Sequence, residues 1–470
     1  MRTLVVIAAL AAIVVATVEC KRANGAYCDD ARPCPNGFAC DLTARECHVS
    51  SLGGADLAGL STDMAGCSCS GPTPICVAMQ CVSCLSTSDG DAACAAVSST
   101  TPHCEPTGAA MGQCVGCRDA GDCGGTTTFC DDGTHACRGC IADSECPSLI
   151  CDLTPGSTTH GQCIDTSNVV YADVANGADS NMGLTPTTAT KTIMKAVNNA
   201  VGLTPARLYV HVAAGTYPES VGVNNRTIYI VGAAGAIINP GGGDGLGAAN
   251  GGSMTARNLV VTADNGNGGN CNASHFTAYQ VSFVNSKQLG VVSMNCLPLT
   301  LDGCLVSGNL QGGVTISSGD FTVYNSMLVK NNGAGLFQMM DSANTVFVNN
   351  TVADNSAGSG FVGVSCASAA SVMVVNTILY NNKGAGGVIS ETNCGALIDA
   401  SDDPSAGPQS SVDLTAKPPG FVGVGDYHLA PGSPCINEGT SQGAPDHDYD
   451  FQPRPDAKSM IFDIGADEVQ

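Results

Sequence analysis

Tryptophan is absent from this chain, aromatic residues make up 4 % of it, and only 18 lysines and arginines stand against 41 aspartates and glutamates. The scarcity of large side chains argues against a bundle of helices, which packs long residues against one another. With 58 glycines and much Ala, Ser, Thr, Asn and Val, the composition favours thin, repetitive β structure. The shortage of basic residues, and a formal charge of −23, exclude a nucleic-acid role, because affinity for a phosphate backbone rests on cationic neutralisation. At 470 residues the chain has room for two to four domains.

Long apolar runs are also scarce. One stands out, LVVIAALAAIVVATV at residues 4–18, and it is short for a spanning helix and right for a signal peptide. Export is therefore expected, with residues 1–19 as signal. Cys20 sits where a bacterial lipoprotein signal places its lipidated cysteine, although Glu19 holds a place where a small residue belongs. Lipidation of Cys20 and cleavage nearby, after Ala16 or Gly25, both stay open. Of 27 cysteines, setting Cys20 aside leaves 26, an even number that can pair completely in an oxidising compartment.

Cysteine is abundant early and sparse late. Twenty of the 26 lie between 28 and 163, in five groups of four: Cys28 to Cys47, Cys67 to Cys81, Cys84 to Cys114, Cys117 to Cys137 and Cys140 to Cys163. Three groups share visible text, with an acidic spacer after the first cysteine and usually Asp after the third. Modules of this size bury too little apolar surface to fold unaided, and two disulfides apiece, at about 2–4 kcal/mol each, supply the missing stability. Three pairings are open to each module. The pairs CVSC, CVGC and CRGC imitate zinc knuckles, but their first cysteine closes one module and their second opens the next. Zinc also requires reduced thiols, which an exported chain does not offer. The first module and a linker occupy 20–66 and four further modules 67–164; together they read as a stalk or interaction segment.

From 165 the text changes. KTIMKAVNNAV carries a helical face of Ile193, Met194, Val197, Ala200 and Val201. Short β-rich runs follow and can be laid over one another: MTARNLVVTADN, FTAYQVSFVNS, LTLDGCLVSGN, FTVYNSMLVKNN, NTVFVNNTVADN and VMVVNTILYNN. Taking Asn285, Asn309, Asn331, Asn355 and Asn381 as equivalent, the steps are 24, 22, 24 and 26 residues. That is the length of one coil of a parallel β-helix, whose coils stack about 4.8 Å apart. Asn and Gly tolerate the left-handed backbone of a corner, and stacked asparagines hydrogen-bond along the axis.

These residues resemble the right-handed parallel β-helix proteins of pectin-lyase type. KTIMKAVNNAV, RLYVHVAAGTYPESV and RTIYIVGAAGAIIN are similar to the cap and first coils of that superfamily. DYHLAPGSPCINEG, DYDFQPRPD and DIGADE resemble the closing segment of exported bacterial β-helix proteins of the choice-of-anchor Q type. The fold expected is all-β, a right-handed parallel β-helix at 165–400 with an N-terminal capping helix and a C-terminal cap at 401–470, preceded by small disulfide-rich modules. Val469 and Gln470 end the sequence without a sorting tail, so any anchor is expected at the N-terminus. The resemblance leaves function open, since the superfamily holds lyases, hydrolases, epimerases and binding proteins.

Candidate chemistry is sparse. A hydrolase on this fold needs converging carboxylates, and the best pair is Asp320 and Asp341, which also read as solvated turn residues. Asp354 falls over Lys330, an expected ion pair on the solvent face. Basic residues beyond 165 are scattered singly, which gives a lyase of acidic polysaccharides little support. His211, His275 and His428 read as packing or edge histidines. Asp446, Asp448 and Asp450 alternate like the opening of an EF-hand, but Phe451 and Ala457 replace the glycine and glutamate that the loop requires, leaving a looser calcium site as the metal reading. Among the late cysteines, Cys271 with Cys296 and Cys366 with Cys394 are one coil apart and expected to bridge, while Cys304 and Cys435 pair by elimination.

The reading is an exported cell-surface protein, an outer-membrane lipoprotein or secreted, that binds a glycan or another surface without catalysis and needs no cofactor. Its membrane contact is limited to the N-terminal lipid. A polysaccharide hydrolase or lyase is the alternative.

Overall fold

The computed structural model describes residues 38–41, 46–49, 69–78, 80–340, 342, 344–358, 360, 362–367, 372–394, 396–401 and 412–470. Residues 4–18, Cys20 and Asp341 lie outside them. The chain divides into two compact units, Met1–Val82 and Ser83–Gln470, so the division falls within the CVSC pair.

In the first unit, Phe38–Asp41 pairs antiparallel with Glu46–Val49, and Ile75–Val77 with Gln80–Val82. Cys69 is bridged to Cys81, and Cys76 is disulfide-bonded as well.

The second unit opens with the last three modules, and all three use one interlaced pairing, first cysteine to third and second to fourth. The bonds are Cys84–Cys104 with Cys94–Cys114, Cys117–Cys130 with Cys123–Cys137, and Cys140–Cys151 with Cys146–Cys163. The aspartate after the third cysteine has a structural task. Asp131 accepts hydrogen bonds from the backbone of Gly133 and Thr134, and Asp152 accepts from the Ser157 and Thr159 hydroxyls and the backbone of Thr154. Each closes the loop leading to the fourth cysteine.

Module five does not stand off as a stalk. Ile150 is buried with Val169, Tyr171, Ala189 and Val231 of the coils, and the Arg257 guanidinium donates to Asp143 at 2.5 Å and to the carbonyl of Cys151 at 2.9 Å.

The helix Ile193–Gly202 closes the N-terminal end of the coils, burying Ile193, Ala196, Val197 and Ala200. The Thr192 hydroxyl and the Glu219 carboxylate cap it, the latter accepting from the backbone of Ile193 and Met194. About eight coils follow, every strand pairing parallel with the next coil. Inward positions alternate with outward ones, so Phe276, Phe283, Phe321 and Phe347 fill one continuous core.

Each coil turns at residues in the left-handed region, and here the asparagine alignment needs a correction of one residue at both ends. Asn285, Lys330, Asp354 and Asn381 form an outer corner row, with φ of 57°, 58°, 56° and 57°. Asn309, Asn331 and Asn355 occupy the next position, which points inward, and their ladder continues to Asn382, not Asn381. Asn309 Nδ2 donates to Asn331 Oδ1 at 2.9 Å, Asn331 to Asn355 at 3.0 Å and Asn355 to Asn382 at 2.8 Å. The ladder ends on the buried Glu391 carboxyl, which accepts from Asn382 N and Nδ2. The corner needs a tolerant backbone and the interior an amide that both donates and accepts; asparagine suits both, so the two rows look alike in sequence.

Cys271 is joined to Cys296 and Cys366 to Cys394, with Cα separations of 5.8 and 5.4 Å. Cys304 and Cys435 do not pair. Both are free and buried, in different core clusters, and desolvation pushes each thiol up to about 12.

Candidate functional site

Two outward surfaces of the coils matter. On one, Val292, Thr315, Phe337 and Ser365 stack in register. Thr315, Phe337 and Ser365 form the floor of a groove of about 280 Å³, walled by Gln311, Gly312, Gly333, Ala334, Ala357 and Gly360. No lining side chain is ionisable. The glycine-rich corners keep the walls low, and the half-exposed Phe337 ring lies between two hydroxyls.

On the other, the last outward residue of each strand builds a row: Tyr171, His211, Val231, Arg257, Tyr279, Asp302, Tyr324 and Val348. Module five covers its first half and the C-terminal segment its second. Asp302 is wholly buried and accepts from His447 Nε2 at 2.9 Å and from Asn325 Nδ2 at 3.1 Å; His447 Nδ1 faces Asp446 at 2.9 Å. Burial opposes charge on both partners. The hydrogen bonds that the ring donates to two carboxylates prevail at His447, whose pKa is raised, and burial prevails at Asp302, also raised, so the pair retains a proton between them. Beside them opens a cleft of about 270 Å³ lined by Leu153, Pro155, His160, Asp446, His447 and Phe451.

Asp320 accepts from Ser342 Oγ at 2.6 Å and Asn344 Nδ2 at 2.9 Å, which holds its carboxyl below the ordinary range. It lies within the strand Gly312–Tyr324, just after Gly319 in the left-handed region, and its suggested partner Asp341 lies outside the described residues. Lys330 and Asp354 do not pair directly. Both meet Tyr427 of the C-terminal segment: Lys330 Nζ lies 5.6 Å from the ring centre, and Asp354 accepts from the hydroxyl at 2.6 Å.

The alternating aspartates diverge, so they do not form one calcium site. Asp446 turns to His447; Asp448 is buried on the backbone of Asp450, Gln452 and Glu468, and burial raises it to about 6; Asp450 faces His428 Nε2 at 3.1 Å. Arg454 Nε lies 3.4 Å from the Glu468 carboxylate. His428, Asp450 and Asp467 each bring one ligand atom within 4.8 Å of the others. His428 is charged, however, raised to about 9 chiefly by Asp450 and also by Asp426, and an imidazolium occupies the place a cation would take. His428 was missed as an ion-pair centre because its partners lie 22 and 2 residues away. The remaining clusters with metal-ligand geometry consist of module cysteines, all disulfide-bonded and closed to zinc.

Residues 219–402 match the family described as right handed beta helix region. The match supports the right-handed β-helix superfamily for the coils and does not extend to the choice-of-anchor Q type. The crystal structure of pectate lyase Pel9A is similar at 13 % identity, over 65 % of this chain and 98 % of that one, with a TM-score of 0.38. No curated protein sequence matches.

Proposed function

We propose that this β-helix is a non-catalytic binding protein of the exported, choice-of-anchor Q kind, whose open coil face holds an uncharged stretch of glycan. The observation that carries the reading is the groove over Thr315, Phe337 and Ser365: an aromatic ring set between hydroxyls, with no acid or base among the residues that line it. An aromatic face packs against the C–H side of a sugar ring while hydroxyls and corner carbonyls meet its rim. Disulfide bonding of every module cysteine from Cys69 to Cys163 supports residence in an oxidising compartment.

A specific observation favours the rival, an enzyme: the Asp302–His447–Asp446 relay beside the cleft at Phe451. Both imidazole nitrogens are already committed to carboxylates, which leaves His447 no free position for substrate. A polysaccharide panel, read for binding and for release of reducing or unsaturated ends, separates the two. Binding lost in Phe337→Ala without product release supports the proposal. Product release abolished by Asp446→Asn would establish the enzyme instead.

A further inference from the structure

A second cavity, of about 490 Å³, lies where module five meets the coils, on a different surface from the Phe337 groove. That volume is inside the range of small-molecule sites, about 300–1,000 Å³. His211 lines it. The residue is 8 % exposed, its ring touches Tyr171 at 5.8 Å between centroids, and neither ring nitrogen has a hydrogen-bond partner in the described protein. Its polar edge is open to the cavity, where a bound polar group replaces water.

The other walls are of two kinds. Asn258 and Gln280 sit at successive corners with φ of 55° and 51°, and their amides border the cavity together with the hydroxyls of Ser144 and Ser282. Leu149, Leu259 and Val260 supply an apolar floor. Leu149 is itself in the left-handed region, at φ 61°, unusual for a leucine.

Charge is the third property. Asp143 borders the cavity, but its carboxylate is saturated by Arg257, Asn258 and the backbone of Cys151. Burial lowers the His211 pKa against the opposing field of Asp143, so the ring is neutral at neutral pH. No free cation lines the cavity to hold a phosphate or carboxylate. Imidazole, amides and hydroxyls each donate and accept, as a hydroxylated ligand demands, and the floor suits a flat array of C–H groups.

We infer that this junction is a second binding site, taking a single uncharged sugar ring of the hexopyranose class. The site is built jointly by module five and the coils, so it depends on their docking. It stands independently of the Phe337 groove.

The test uses the full chain labelled with ¹⁵N-histidine and titrated with methyl hexopyranosides, with glucuronate as the charged control. A neutral glycoside is expected to shift the His211 ring resonances saturably. Ser282→Phe, which fills the cavity, is expected to weaken that binding at least about tenfold, and glycan binding through Phe337 to persist. Leu149→Asn, compatible with the same left-handed backbone, is expected to act alike and serves if Ser282→Phe fails to fold. Absence of a His211 shift with every glycoside, a shift unchanged in both variants, or a response to glucuronate alone would overturn the inference.

Discussion

The imidazole of His447 and the carboxylate of Asp302 meet at 2.9 Å across 145 residues of sequence. The pair ties the C-terminal segment to the middle of the coils, and its burial makes removal of one partner more damaging than removal of both. His447→Leu is expected to destabilise by about 3–5 kcal/mol, since Asp302 is then left buried and unpaired. Asp302→Leu combined with His447→Leu is expected to lose much less than the two single changes together. Urea unfolding of the four proteins measures the coupling directly.

The C-terminal segment should loosen in alkali. The His428 pKa stands near 9 in the fold against 6.5 in the unfolded chain, so its contribution is complete below about pH 6.5 and lost as pH rises toward 9. Asp448, raised to about 6 by burial, and Asp463, Asp467 and Glu468, raised likewise, act in the same direction at lower pH, because the folded form binds protons more tightly. Calorimetry is expected to show the transition of this segment falling in temperature between pH 6.5 and 9. In His428→Gln that decline should be absent over the same interval.

The two asparagine rows should respond oppositely to substitution. Asn331 donates to the Val306 carbonyl and to Asn355, and accepts from Asn309 N and Nδ2. Asn331→Leu orphans several buried groups, at about 1–3 kcal/mol each. Asn285→Gly, at an outer corner with φ 57°, is expected to change stability by less than about 1 kcal/mol. Chemical denaturation of both variants tests the assignment; equal losses would refute it.

Much of this architecture was legible because its signals are local. The coil length follows from the spacing of Asn309, Asn331 and Asn355, and Cys271 and Cys366 find their partners one coil later. Pairing by elimination failed for Cys304 because parity says nothing about position. Cys304 precedes Ser326, Asn350 and Thr377 in an interior row, each backbone N–H reaching the next side chain, so it lines the core as a small residue. The covered row was visible in part. In MTARN, FTAYQ, LTLDG and FTVYN, the residue before the corner is Arg257, Tyr279, Asp302 or Tyr324, too large and too varied in charge for a plain solvent face. What lies over that row could not be read there, since Asp143 and His447 arrive from sequence 114 and 145 residues distant.

The Asn309 ladder also has a direction. Each amide hands its N–H to the next coil, and at Glu391 the series meets a carboxyl group, which receives the backbone N–H and one side-chain N–H of Asn382 and whose side chain carries no amide N–H. The strands themselves continue past that point, Val374–Tyr380 pairing with Ala396–Ser401 and that strand with Val412–Asp413, so the change at Glu391 is in the side-chain row and not in the stack. The interior row thus passes from amide to acid while the backbone ladder runs on, two periodic systems of different length in one stack.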